Sequence, residues 1–135
     1  MRSLLTALLC LPLLGLGACR GLHGAGNSAA RDPMLVHSVY FTLREDTPAK
    51  RAALIASARE NLAPIGGIAH FAIGERDEGL VREVNDLDFD VALLVVFHDR
   101  AAHDRYQPDP RHQKFIADGK DNWEKVRVFD SLGVR

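Results

Sequence analysis

From Leu35 to Leu43 the side chains alternate: Leu35, His37, Val39, Phe41 and Leu43 share one parity, and Val36, Ser38, Tyr40 and Thr42 share the other. A period of two marks a strand, because successive side chains of an extended chain point to opposite faces. Thr47-Pro48 reads as a helix start. The threonine oxygen can accept from a free first-turn amide, and proline fits the first helical position because its missing N–H has no work there. The helix is predicted to run to about Leu62, with Ile55, Ala58 and Leu62 on one stripe, and to end at Pro64, Gly66 and Gly67. Ile68 to Gly74 is a second, short strand. Residues 75–88 are acidic and mixed, which predicts a loop with at most one helical turn. Phe89 to Phe97, FDVALLVVF, is the strongest strand in the chain. Asp99 caps a short helix through about Tyr106, Asp109-Pro110 opens another that Gly119 stops, and Trp123 to Leu132 gives the last strand.

The order β-α-β-β-α-β is the ferredoxin-like one, an α+β fold whose helices cover one face of a four-stranded antiparallel sheet. The other face is left bare. In the third strand Val91, Leu93, Val95 and Phe97 point one way and Ala92, Leu94 and Val96 the other, so both sides are apolar. Such a strand needs cover on both sides. Four strands exposing about 100–150 Å² of apolar area each leave about 500 Å² bare. At about 25 cal/mol/Å² that exceeds about 10 kcal/mol per pair before association costs. A homodimer stacked sheet on sheet is the expected solution, giving a dimeric α+β barrel.

The N-terminal stretch stands apart from this pattern. Arg2 gives a basic start, Leu4 to Leu16 is apolar, and small residues follow. That is the layout of an export signal, and the run is shorter than the roughly 20 residues of a membrane span. Leu16-Gly17-Ala18-Cys19 resembles a bacterial lipobox, which implies a lipid on Cys19, a membrane-anchored lipoprotein of the cell envelope, and a mature chain without Cys10. No disulfide is then possible within one mature chain, so the core holds by packing. Residues 20–33, RGLHGAGNSAARDP, read as a flexible tether. The expected organisation is a signal over 1–19, the tether over 20–33 and one domain over 34–135. The chain has 135 residues and a formal charge of −1, so it carries no nucleic-acid footprint.

The candidate chemistry lies in YQPDPRHQKF, residues 106–115. In one unbroken helix Tyr106 and His112 would sit about 120° apart around the axis and about 9 Å along it, too far to act together. Pro108 and Pro110 break the helix, and Asp109 caps the next one. His112 then falls in a first helical turn, where the positive helix end favours a neutral imidazole. A neutral imidazole is what a general base requires. In that reading His112 removes a proton next to a carbonyl and Tyr106 donates to the developing enolate oxygen.

The opening MLVHSVYFTL, the YQPDPRHQKF segment and the closing WEKVRVFD together resemble the stress-responsive α/β-barrel, or Dabb, family of the dimeric α+β-barrel superfamily, over residues 34–132. One branch of that family is a plant polyketide cyclase that makes olivetolic acid. The resemblance implies an apolar pocket between sheet and helices, with the catalytic tyrosine at Tyr106, the catalytic histidine at His112 and a pocket histidine at His37. It places the pocket wall at Val39, Phe41, Phe115, Trp123, Val126 and Val128. Two positions depart from the cyclase: Val91 stands where its third strand has a histidine, and Asp109 stands before the motif proline where histidine is frequent.

His98 and His103 flank a helix start with Asp99 and Asp104 near, where a metal is conceivable, but His23, His70, His98 and His103 make no H-x-x-x-H pair and C-x-x-C, phosphate-loop and nucleophile-elbow patterns are absent, so no metal and no cofactor are expected. Two functions stay open at this level. One is a pocket for an apolar carbonyl compound with Tyr/His proton transfer. The other is a non-enzymatic dimeric module of stress response or envelope assembly, without ligand. An enclosed cavity where Tyr106, His112 and His37 converge would favour the first.

Overall fold

A computed structural model describes residues 32–133. The elements are β1 (Leu35–Leu43), α1 (Pro48–Asn61), β2 (Ile68–Glu75), β3 (Val91–Phe97), α2 (Arg100–Tyr106), α3 (Pro110–Gly119) and β4 (Trp123–Leu132), with one 3₁₀ turn at Lys120–Asn122 before β4. The sheet is antiparallel with order β2-β3-β1-β4, the ferredoxin-like arrangement. The proposed signal, Cys19 and most of the tether lie outside the described residues.

Parity sorts the sheet into two faces. Leu35, Val39, Phe41 and Leu43 of β1 and Val91, Leu93, Val95 and Phe97 of β3 are all buried on the helix side. There they meet Leu54 and Ala58 of α1 and Leu62 just after it, Ala102 and Tyr106 of α2, and Phe115 of α3. Leu54 rather than Ile55 joins Ala58 and Leu62 in the buried stripe; Ile55 sits at its margin. The caps are as expected. Thr47 Oγ1 accepts from Lys50 N at 3.3 Å, and Asp99 Oδ1 accepts from Ala102 N at 2.7 Å. Gly67 has φ +93° and lies so close to Ala102 that an added Cβ would come within 2.8 Å of its methyl carbon. Only glycine fits both conditions.

Two expectations need correction. Strand β3 begins at Val91, not Phe89. Asp90 turns the chain at that point, its carboxylate accepting from Leu43 N at 2.7 Å and its amide donating to Phe41 O at 2.8 Å. Phe89 is left to pack edge-on against Tyr40 at 5.0 Å. The segment 76–90 also contains turns but no helix. It folds over one end of the face expected to be bare, held by Arg127 to Asp86 at 2.5 Å and Lys125 to Asp88 at 2.6 Å. One copy therefore covers part of its own outer face. Val36, Leu94 and Val96 stay half-buried there and Phe129 is 56% exposed.

Candidate functional site

The β1/β4 register sets Asp130 directly opposite His37. Cross-strand partners on one face lie within side-chain reach of each other, and His37 Nδ1 meets Asp130 Oδ1 at 2.6 Å. A carboxylate only accepts, so Nδ1 carries the proton and Nε2 is left as the other face of the ring. His37 is 6% exposed, among apolar neighbours of its own parity.

The double-proline bend does what one helix could not. Helix α2 stops at Tyr106, Asp109 N donates back to Tyr106 O at 3.1 Å, and Asp109 Oδ1 accepts from Arg111 N at 2.8 Å to start α3. The Tyr106 and His112 rings come to lie 4.4 Å apart between centroids, tilted by 36°. Tyr106 is almost fully buried, its ring 5.0 Å from Phe97 and 6.3 Å from His37. Burial pushes its phenol pKa far up, with the Asp109 carboxylate adding to the shift, so the hydroxyl stays a donor.

His112 is buried on the inner side of α3. Its Nδ1 lies 3.0 Å from the Gln107 carbonyl oxygen. A carbonyl oxygen cannot donate, so Nδ1 donates and the neutral ring keeps its lone pair on Nε2. Burial lowers the imidazole pKa. The Gln107 hydrogen bond and Asp109 pull it up, and His37 and His103 add to the lowering. The net direction keeps His112 neutral near pH 7.

These groups share a hollow of about 350 Å³ between α2, α3 and the β1/β4 side of the sheet. Val39, Phe41, Phe115, Trp123, Val126 and Val128 all line it, together with His37, Tyr106 and His112. The hollow is not the enclosed cavity anticipated. Helix α1 packs toward β2 and α3, and α2 toward β3; α3 covers the edge strand β4 at Trp123 through Phe115, and the inner face of β4 further along, at Val126 and Val128, is left largely open. Val126 and Val128 remain 40% and 49% exposed, and the hollow opens to solvent along them. A larger depression of about 590 Å³ lies on the other face of the sheet, beneath the 76–90 segment. It holds no convergent Tyr/His set.

Three polar lining residues were not placed in the site by the sequence reading: His103, Gln107 and Asp130. For two of them the sequence holds a partial signal, a shared face rather than a shared site. Asp130 shares the parity of Val126 and Val128, and His103 precedes Tyr106 by one helical turn, on the same face. His37, His103 and Asp130 also bring one potential metal-ligating atom each to within 4.8 Å of the others, although local spacing had suggested no metal.

No curated protein matches the chain. Solved structures do. A Dabb family protein with a ferredoxin-like fold from Mesorhizobium loti is 24% identical, with a TM-score of 0.64 over 77% of this chain and all of its own. A dimeric ferredoxin-like protein of unknown function from Thermobifida fusca is 19% identical, with a TM-score of 0.64 over 76% of this chain and 92% of its own. A hydroxynitrile lyase from Passiflora edulis is 17% identical, with a TM-score of 0.63 over 76% of this chain and 95% of its own. Likeness at these identities speaks for the fold. The family model of the stress-responsive A/B barrel domain matches residues 35–132, the whole sheet and all the helices, and so the chain belongs to the Dabb family.

Proposed function

We propose that the hollow binds an apolar carbonyl compound and transfers a proton next to its carbonyl group. The observation that carries this reading is the pairing of Tyr106 and His112 across the proline bend, with His112 Nδ1 tied to the Gln107 carbonyl. That tie leaves Nε2 as the base, and the lowered imidazole pKa keeps it unprotonated. Burial keeps the Tyr106 hydroxyl protonated, ready to donate to the oxygen where negative charge develops. Apolar walls weaken water's competition for both groups. His37, fixed by Asp130, is the third polar group and orients the bound molecule. A ligand-free module would have these side chains packed solid or facing water; Tyr106, His37 and His112 are instead buried beside a hollow of about 350 Å³, large enough for a small molecule.

The test is deuterium incorporation. A panel of apolar ketones is incubated with the protein in D₂O and exchange next to the carbonyl is followed by NMR. Mass spectrometry of compounds that co-purify guides the choice of panel. Each such catalytic role contributes about 10²–10³-fold, so His112→Ala should lose at least about 100-fold in exchange rate. Equal exchange by wild type and His112→Ala, with both folded, would remove the reading.

The working form we propose is a homodimer closed over the outer face of the sheet. Phe129 and the half-buried Val36, Leu94 and Val96 present apolar surface there, and Leu80, Val81, Val84 and Leu87 of the 76–90 segment stand 44–86% exposed beside it. The similar Thermobifida fusca protein is dimeric. We also propose, from the sequence alone, export and a lipid on Cys19. Among the described residues no helix is long and apolar enough to cross a membrane, so attachment in this reading falls to the lipid. Cys19→Ala should release the protein from the membrane fraction, and unchanged recovery there would dismiss the anchor.

A further inference from the structure

We infer that His37, His103 and Asp130 form a binding site for a divalent transition metal of the zinc class. The three come from β1, α2 and β4, and His37 and Asp130 are 93 residues apart, which is why no local spacing announced them. Each offers one ligand atom, and these atoms lie within 4.8 Å of one another. At metal–ligand lengths of about 2.0–2.1 Å, tetrahedral ligands stand about 3.3 Å apart. The pair His37 Nδ1 and Asp130 Oδ1, now 2.6 Å apart, would open slightly while His103 closes in. Asp130, with 47% of its side chain exposed, has room to make that shift.

The donor set fits this class of ion. Two imidazoles and one carboxylate suit zinc and its neighbours, whereas calcium and magnesium take oxygen donors. The shared proton between His37 and Asp130 is given up when a cation replaces it. The rings are already oriented. His37 has the rings of Phe97 and His103 beside it, tilted by 57° and 56°, with centroids at 6.4 Å and 5.4 Å. His103 has Gln107 Nε2 2.8 Å from its Nε2 and Asp104 Oδ1 3.3 Å from its Nδ1. The Gln107 amide N–H donates, so His103 Nε2 holds the lone pair that can take a metal, while Nδ1–H keeps the Asp104 carboxylate as its outer partner, the arrangement that fixes metal-bound histidines.

Three protein ligands leave a fourth position. All three line the same hollow as Tyr106 and His112, so that position opens to the hollow. It would take water or an oxygen of the bound molecule, which points to oxygen-donor ligands such as β-dicarbonyl or α-hydroxycarbonyl compounds. The site does not rest on proton transfer at His112, and metal binding is read without any turnover.

The experiment uses the full chain, stripped with chelator and titrated with Co²⁺. One equivalent should bind and produce the visible bands of a four- or five-coordinate ion, and Zn²⁺ should abolish them. Asp130→Asn and His103→Ala should each weaken binding by more than about 10–100-fold, the loss typical of altering even an outer partner. His70→Ala, on the opposite face, should leave it unchanged. Circular dichroism checks the fold; should His103→Ala fail to fold, the near-isosteric Asp130→Asn decides. The inference is overturned if wild type gives no bands, or if bands of equal intensity persist in folded Asp130→Asn. Loss of exchange in His112→Ala with the Co²⁺ bands intact separates this site from the proton-transfer reading.

Discussion

Asp109 has two jobs at the bend, and two substitutions separate them. Its carboxylate accepts from Arg111 N at 2.8 Å, capping α3, and its negative charge raises the His112 imidazole pKa against the larger effect of burial. Asp109→Ala removes both. Loss of the cap costs about 1 kcal/mol, within a range of about 0.5–2, and loss of an anion at a helix N-terminus costs about 0.3–1 kcal/mol more. A domain of this size loses about 4–8 °C in melting midpoint per kcal/mol, so Asp109→Ala should melt about 5–15 °C lower. Asn caps about as well as Asp, so Asp109→Asn keeps the first contribution, loses only that of the charge, and should melt about 1–8 °C below wild type, less than Asp109→Ala. Its effect falls on chemistry instead. Without the neighbouring carboxylate the His112 pKa drops further, and the acidic limb of the exchange rate moves to lower pH. The assays are thermal denaturation and deuterium exchange against pH. Equal melting losses for Asn and Ala would refute the cap, and an acidic limb that moves up in Asp109→Asn would refute the electrostatic account of His112.

Other outcomes follow from the same coordinates. Gly119 lies against the Trp123 indole so closely that a Cβ there would strike the ring. Gly119→Ala should displace the hollow's wall, destabilise by about 1–3 kcal/mol, and shift the emission of this chain's single tryptophan; unchanged emission would contradict the contact. The lowered pKa of His112 makes stability pH-dependent. Below about pH 6.5, the ordinary imidazole value, the unfolded chain binds a proton that the folded chain resists. Stability should therefore fall with pH from about 6.5 down to the folded pKa and then level off. Urea midpoints of His112→Gln should show a shallower fall over that window than wild type. Phe129→Glu puts a charge on the exposed outer face and should yield monomers by light scattering, and an intact dimer would place the interface elsewhere.

Much of the fold was legible because its signals are local. Period-two alternation gave β1 and β3, Thr47, Asp99 and Asp109 gave three helix starts, and the proline pair gave the break between α2 and α3. Local signals also located Tyr106 and His112 but not their 4.4 Å approach, which depends on how α3 leaves the bend. Asp130 and His103 were illegible as site residues for a different reason. Their roles exist only once β4 pairs with β1 in one register and α2 packs over β3, and neither register nor packing is written in any single stretch. The fully enclosed hollow failed for the same cause: which strand lies at the edge, and so goes uncovered, is a property of the sheet order.

The two faces of the sheet are tied together through β1. Its odd positions supply His37, Val39 and Phe41 to the hollow, and its even positions supply Val36 and Tyr40 to the face proposed for a second copy. A slip of one residue would exchange the sets, sending His37 outward and Tyr40 into the core. The register is held at both ends. Asp90 clasps Leu43 N and Phe41 O at one end, and Gly133 N donates to Met34 O at 2.7 Å at the other. The His37–Asp130 contact then serves as an internal check on register, since it forms only when these two residues stand opposite each other. A dimer that buries the even face would stiffen β1 from behind and so hold His37 steady in the hollow. In this chain, assembly and site geometry are therefore two consequences of the same alternation.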